Sequence, residues 1–154
     1  MQYNLKNSLR VVLFLFIAAL AFFAGKASDE LKIIFTDKAP KPIGPYSQAV
    51  MKDDFVFVSG QVAIDPVTNQ LDTSTIENET KRVLENVKAV LEASGLRINN
   101  VIKSTIYLTD ISKFKQVNEI YGTYFKENPP ARETVQVAAL PKGGHIEISV
   151  VAVK

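Results

Sequence analysis

Three segments of this chain carry apolar residues at both odd and even positions: "FVFVSG" from Phe55, "TVQVAAL" from Thr134 and "EISVVAV" from Glu147. Side chains of a β-strand alternate between the two faces of its sheet, so these strands are predicted to be buried on both faces. The rest of the pattern contains two amphipathic helices, which can cover only one face of such a sheet. The second face needs another cover, and self-association is the economical answer.

The two helices are predicted from apolar residues that recur every three or four positions. The first begins near Ser74, where Ser74 and Glu77 match a capping box, and it stops at Gly95. The second follows Asp110 and ends at Pro129, and its apolar stripe consists of Phe114, Val117, Tyr121, Tyr124 and Phe125. Strands are predicted near residues 32–35, 47–51, 55–64, 101–110, 132–140 and 146–153, with Ile102, Ser104, Ile106 and Leu108 on one face. The order of elements predicts an α+β domain with one sheet and two helices.

The first 27 residues have a different character from the rest. A basic start with Lys6 and Arg10 precedes an uncharged apolar run, residues 11–25, and small residues follow it. This pattern predicts a signal peptide cut near Ala27–Ser28, and therefore an exported protein, periplasmic or secreted. The run is shorter than the ~20 residues that span a bilayer comfortably. An uncleaved N-terminal membrane anchor is the alternative, and residues 28–154 form the predicted domain.

Charge and composition exclude several functions for residues 28–154. The leader holds three of the 18 basic residues and none of the 16 acidic ones, which leaves a domain with net charge −1. Such a domain has no electrostatic footprint for nucleic acid. The chain has no cysteine, so it has neither a thiol nucleophile nor a thiolate zinc site. His145 follows a glycine pair in a predicted loop, and no metal-ligand spacing occurs.

Several polar residues interrupt the apolar pattern. Tyr46 lies in the rigid turn "PIGPY", Ser59 and Gly60 interrupt a strand, and Asn118 lies on the second helix. Each has an ordinary alternative: Tyr46 packs on the turn, the glycine marks a bulge, and Asn118 faces water. Gly60 has no side chain, so another group can approach its backbone closely.

Two charged residues stand at strand positions. Arg132 follows Pro129 and Pro130, and it is either a solvated strand end or a fixed anion clamp. Glu147 lies between Ile146 and Ile148. A carboxylate in a buried strand is rarely left without a partner.

The segments "IGPYSQAV", "VSGQVAIDP", "VNEIYGTYF" and "PPARETVQVAALPKGGHIEI" together resemble, in order and spacing, the reactive-intermediate deaminase family (RidA, also called YjgF). The resemblance covers about residues 31–154. It implies a single mixed sheet with both helices on one face, the chorismate-mutase-like fold. It also implies a homotrimer with a site between subunits. The implied reaction is the hydrolysis of 2-imino and enamino acids, such as 2-aminoacrylate, to 2-keto acids and ammonia without a cofactor.

The resemblance also implies roles for individual residues. Arg132 would clamp the substrate carboxylate through two parallel hydrogen bonds, and Glu147 would activate water and move a proton to the leaving nitrogen. The predicted lining of the cleft is Tyr46, Ser59, Gly60, Asn118 and Thr134. Thr134 stands where the family often has cysteine. Glu133 is a departure from the family pattern, and strand alternation predicts that it points away from Arg132.

The placement of the site stays open at this stage. If the last two strands formed a simple hairpin, Glu147 would lie opposite Ala138, about 20 Å from Arg132. Either these strands are not neighbours, or the two residues meet across subunits. Two other functions are considered: a non-catalytic module that binds small carboxylates, and a ribonuclease. The slightly acidic domain and its single histidine argue against the ribonuclease.

Overall fold

A computed structural model describes residues 31–154 as one six-stranded sheet with two α-helices. Across the sheet the strands follow the order β1-β2-β3-β6-β4-β5, and only the β4–β5 pair is parallel. The predicted α+β fold with a single mixed sheet is therefore confirmed. In chain order the elements are β1 (Lys32–Ile34), β2 (Ala49–Lys52), β3 (Phe55–Gln61), α1 (Ile76–Ala93), β4 (Val101–Leu108), α2 (Phe114–Tyr124), β5 (Ala131–Gln136) and β6 (Ile146–Val153).

The predicted leader and its alternative, a membrane anchor, lie outside the described residues. Within residues 31–154, neither helix has the length and hydrophobicity that crossing a membrane requires.

The core lies between the helices and one face of the sheet. Helix α1 packs on β3 and β6, and α2 packs on α1. Each fully buried aliphatic side chain in this layer contributes about 1.5–3 kcal/mol through the hydrophobic effect. The largest buried side chains include Leu84, Leu91, Ile106, Leu108, Ile146 and Ile148.

The opposite face of the sheet is open, although it is also apolar. Ile33 and Phe57 are 55% and 49% exposed, and Phe55 and Val135 are exposed as well. The buried neighbours of Ile33 and Phe57, which are Ile34 and Val58, point towards the helices. The burial that the sequence pattern predicts on both faces is thus present on only one face of the single chain.

The start of α1 differs from the predicted capping box. The N-cap is Thr75, whose hydroxyl oxygen accepts a hydrogen bond from the Asn78 N–H at 3.1 Å. Ser74 is used differently, because its hydroxyl donates to Asp72 Oδ1 at 2.6 Å. Because Ser74 is engaged by Asp72, the helix begins one residue later than the sequence pattern predicts. The predicted stop is correct: α1 ends at Ala93, and Gly95 adopts a left-handed φ of 81°.

Two strand predictions need correction. Ile102 was expected to share a face with Ser104, but a register shift between Val101 and Lys103 leaves Ile102 exposed and buries Val101. Strand β5 ends at Gln136 rather than at Leu140. Among residues 31–154 it is an edge strand that pairs with β4 alone, and β4 ends at Leu108, the register partner of Gln136.

Candidate active site

The structure divides the predicted site residues into two groups. Tyr46, Ser59, Gly60 and Glu147 line a cavity of about 330 Å³, which we call the Glu147 half-site. Asn118 and Arg132 line a surface depression of about 390 Å³ on the other side of the sheet. With Thr134, two positions along β5 from Arg132, they form the Arg132 half-site.

Sheet topology separates Arg132 from Glu147. Strand β4 lies between β6 and β5, so the first alternative drawn from the sequence is correct: the last two strands are not neighbours. Glu147 pairs with Tyr107, which pairs with Val135, three residues from Arg132. This register implies an offset of about 10 Å along the strands and about 10 Å across them.

The two side chains also point to opposite faces of the sheet. Ile146 and Ile148 are buried under the helices, so Glu147 between them faces the open side. Arg132 is the register partner of Ser104, which is buried on the helix side. A single chain therefore cannot bring Arg132 and Glu147 to one small molecule.

Gly60 is required by the position of Glu147. A Cβ atom at residue 60 would overlap the Glu147 carboxylate. The close approach expected at this glycine is therefore made by a side chain of the neighbouring strand. The pairing of β3 with β6 shifts register between Val58 and Gln61, so the chain also bulges at this point.

Hydrogen bonds within the chain hold the rest of the Glu147 half-site. The Ser59 hydroxyl donates to the Ser47 carbonyl oxygen at 2.6 Å. The Ile43 N–H donates to the Tyr46 hydroxyl oxygen at 3.1 Å. Tyr46 therefore serves as an acceptor towards its own turn and keeps its O–H available as a donor. Ser59, by contrast, has its proton engaged and can only accept.

The Glu147 carboxylate has no charged partner among the residues that the structure describes. Among residues 31–154, no ion pair includes Glu147. Burial raises its pKa above the ordinary glutamate value. A half-buried carboxylate with a raised pKa is suited to take up and release a proton.

Aromatic rings support the guanidinium of Arg132. Its central carbon lies 4.8 Å from the ring centroid of Tyr121 and 5.6 Å from that of Phe114. No ion pair within the described part of the chain includes Arg132. The guanidinium donors are therefore free to bind an anion from outside the chain.

Buried polar atoms around Arg132 are left without partners. In residues 31–154, four buried side-chain atoms make no hydrogen bond: Ser104 Oγ, Asn118 Oδ1, Tyr121 OH and Thr134 Oγ1. Such atoms are uncommon and often mark functional sites. All four belong to Arg132's own strand, to the neighbouring strand β4 or to α2.

Sequence reasoning assigned Phe114 and Tyr121 only to the apolar stripe of the second helix. The missed signal was their spacing from Asn118, because residues 114, 118 and 121 follow i, i+4 and i+7 and share one helical face. Glu133 points away from Arg132, as strand alternation predicts. It forms an ion pair with Lys103 at 2.8 Å, away from Arg132, and the hydrogen bond from Lys103 lowers its pKa.

Glu79 and His145 form a titratable pair that lies outside both half-sites. Glu79 is buried, and it accepts from the His145 backbone N–H at 3.3 Å, with Nδ1 of the ring 3.1 Å from Oε1. Burial raises the pKa of Glu79, and His145 only partly offsets that rise. No cluster of metal ligands occurs among residues 31–154.

The fold and the two half-sites define a small α+β protein that presents an arginine held between aromatic rings and, separately, a half-buried carboxylate. The family model described as endoribonuclease L-PSP matches residues 36–154, and the chain belongs to that family.

Known relatives support this assignment. A RutC family protein of Saccharolobus solfataricus is 54% identical over 123 residues, covering 80% of this chain and 98% of the relative. The human 2-iminobutanoate/2-iminopropanoate deaminase is 50% identical over 123 residues, covering 80% and 90%. The crystal structure of RidA from an Antarctic Psychrobacter superposes with a TM-score of 0.78 at 44% identity, covering 80% and 99%. The resemblance to RidA is confirmed.

Proposed function

We propose that this protein hydrolyses small 2-imino and enamino acids to 2-keto acids and ammonia. One observation carries the proposal: within residues 31–154, Arg132 has no acidic partner and Glu147 has no basic partner, and each is partly enclosed. A 2-iminium acid offers a carboxylate to the first and a cationic nitrogen to the second. The human, rat and mouse relatives named as imine deaminases support the same chemistry.

The proposed reaction needs one anion clamp and one proton carrier. Arg132 binds the carboxylate through its planar fork of N–H donors. Glu147 takes a proton from water as the water oxygen bonds to the iminium carbon, which gives a neutral carbinolamine. The protonated Glu147 then donates that proton to the amine. The carbon–nitrogen bond breaks, ammonia leaves, and the remaining hydroxyl loses its proton to Glu147 as the 2-keto acid forms.

The site is proposed to lie between copies of the chain, in a homotrimer. The two half-sites face opposite sides of one sheet, so the Arg132 half-site of one copy would complete the Glu147 half-site of the next. The exposed apolar residues Ile33, Phe55 and Phe57 supply a surface for this association. A head-to-tail contact forms a ring when its rotation closes, and the RidA resemblance suggests a ring of three copies.

The direct test is an assay of ammonia release. An amino-acid oxidase generates the imines in situ, and the purified protein is then added. Faster ammonia release with wild-type protein than with Glu147→Gln supports the enzyme. Equal rates for both proteins would contradict it.

A second candidate is a carboxylate-binding protein without turnover. It would use the same Arg132, and the export-type leader favours it, because the usual enamine sources of RidA-like proteins lie inside cells. Calorimetric binding of a 2-keto acid without any ammonia release would support this candidate over the enzyme.

Export is itself a proposal that rests on the basic start and apolar run of residues 1–27. Mass spectrometry of the native protein should find an N-terminus near Ser28. An intact Met1 in a membrane pellet would instead support the anchor.

A further inference from the structure

The clamp arginine has no polar support in the described chain. Arg132 lies on β5, the edge strand of the sheet, and no ion pair within residues 31–154 includes it. A long side chain without a partner loses rotamer entropy when a ligand fixes it. A site that binds small carboxylates through one arginine therefore gains affinity if something holds the guanidinium beforehand.

Two rings of α2 provide that support. The guanidinium carbon lies 4.8 Å from the Tyr121 centroid and 5.6 Å from the Phe114 centroid, both within the range of a cation–π contact. Tyr121 is itself well fixed, since it is 5% exposed and stacks on Phe125 with centroids 4.3 Å apart. An aromatic face contacts a guanidinium without occupying the N–H donors at its edge.

We propose that Tyr121 and Phe114 are positioning residues for Arg132, and that they give this site its preference for carboxylates over neutral ligands. The proposal rests on the proposed function, because it assigns Arg132 to the substrate carboxylate. Neither ring needs to touch the reacting atoms. Each acts by keeping the guanidinium in place while its donors remain free.

The ring of Tyr121, rather than its hydroxyl, carries this role. The hydroxyl is buried and makes no hydrogen bond within residues 31–154. Burial raises the pKa of the phenol, and the neighbouring Ser104 hydroxyl and the Arg132 charge only partly offset that rise, so the phenol stays neutral. Tyr121→Phe keeps the ring against Arg132 and should therefore keep the wild-type ratio of keto-acid to amide affinity.

The experiment compares three leucine substitutions on one helix. Tyr121→Leu and Phe114→Leu remove the rings against Arg132. Tyr124→Leu is the matched control, because the Tyr124 hydroxyl donates to Glu85 at 2.6 Å and its ring makes no contact with Arg132. Phe114 is 40% exposed, so its substitution is tolerated even if Tyr121→Leu fails to fold. Calorimetry measures binding of 2-oxobutanoate and of its uncharged amide to each full-length protein.

We expect Tyr121→Leu and Phe114→Leu to weaken 2-oxobutanoate binding by about 3- to 30-fold while amide binding is unchanged. In the imine assay the same variants should raise KM and leave kcat within about twofold. Tyr124→Leu should match the wild type, and Tyr121→Phe should keep the wild-type ratio of keto-acid to amide affinity. Equal loss of keto-acid and amide binding would show general damage to the helix and overturn the proposal. Equal loss in Tyr121→Phe and Tyr121→Leu would overturn it too.

The outcome is separable from that of the proposed function. If Arg132→Ala abolishes keto-acid binding and both ring variants bind normally, only the positioning role is wrong. If Arg132→Ala itself binds normally, the clamp and the proposed function fail together.

Discussion

Different interactions hold the side chains of the two half-sites in place. The Glu147 half-site is held by hydrogen bonds within the chain, from Ser59 to Ser47 and from Ile43 to Tyr46. The Arg132 half-site is held by ring contacts, and four buried polar atoms around it lack partners within residues 31–154. The first is therefore complete in geometry within one chain. The second still has polar groups that a ligand or a second copy can satisfy.

The charges of the two half-sites are complementary. Burial of Glu147 without a cation raises its pKa, and Arg132 is supported by rings without an anion. Each half-site therefore lacks the charge that the other presents. In the proposed oligomer, a zwitterionic substrate would lie between opposite charges, with its carboxylate at Arg132 and its iminium nitrogen at Glu147.

The largest expected effect is on the Glu147 side. Glu147→Gln keeps the shape of the side chain but removes the base, so kcat should fall by roughly 10²–10⁴-fold. Binding of a 2-keto acid should change little, because Arg132 is intact. Steady-state kinetics and calorimetry on the same preparation check both parts. Glu92→Gln, at an exposed position of α1, is the control and should behave as the wild type. A small loss of kcat would remove Glu147 from the mechanism.

On the Arg132 side the expected effect is on binding. Arg132→Ala removes two charge-assisted hydrogen bonds, each worth about 1.5–3 kcal/mol, so keto-acid affinity should fall by at least about 10²-fold. Arg132→Lys should recover only part of this affinity, because an ammonium lacks the planar fork. Arg97→Ala, an exposed arginine, serves as the control. Unchanged affinity in Arg132→Ala would mean that Arg132 is a solvated strand end.

The same glycine substitution should have different effects in the two half-sites. Gly60→Ala places a Cβ where the Glu147 carboxylate lies, while Gly122→Ala in the Arg132 half-site meets no atom within 4 Å. Gly60→Ala should displace the carboxylate and lower kcat by up to about 10²-fold. Gly122→Ala lies in α2 and should raise stability by about 0.5–1 kcal/mol. Kinetics and thermal unfolding of both variants test this, and normal turnover in Gly60→Ala would contradict the fixed position of Glu147.

A smaller effect is expected in the pH dependence. Glu147 must be ionised to accept a proton from water, and burial raises its pKa above the ordinary glutamate value. kcat/KM should therefore rise with pH along an acidic limb whose midpoint lies above the ordinary pKa of glutamate. The limb should be absent from the residual activity of Glu147→Gln. A limb that persists unchanged in this variant would assign the titration to another group.

The helices and the close approach at Gly60 could be predicted from the sequence, because short local patterns indicate them. The helical faces follow from the spacing of apolar residues, and Gly60 indicates a close approach even though the sequence does not show which group makes it. The insertion of β6 between β3 and β4 is a non-local pairing that no short segment encodes, and it decides that Arg132 and Glu147 are separated. Tyr121 and Phe114 were assigned to the core because an aromatic residue in an apolar stripe looks the same whether it packs on leucine or on arginine.

The proposal that the site requires two chains is tested most directly by mixing two inactive variants. Arg132→Ala and Glu147→Gln are co-refolded or co-expressed in equal amounts, and imine hydrolysis is measured against each variant alone. If each site takes Arg132 from one copy and Glu147 from the next, random assembly leaves both residues intact in one site in four. About a quarter of the wild-type activity should then return. If the mixed oligomers form and remain as inactive as the separate variants, the account of a shared site is contradicted.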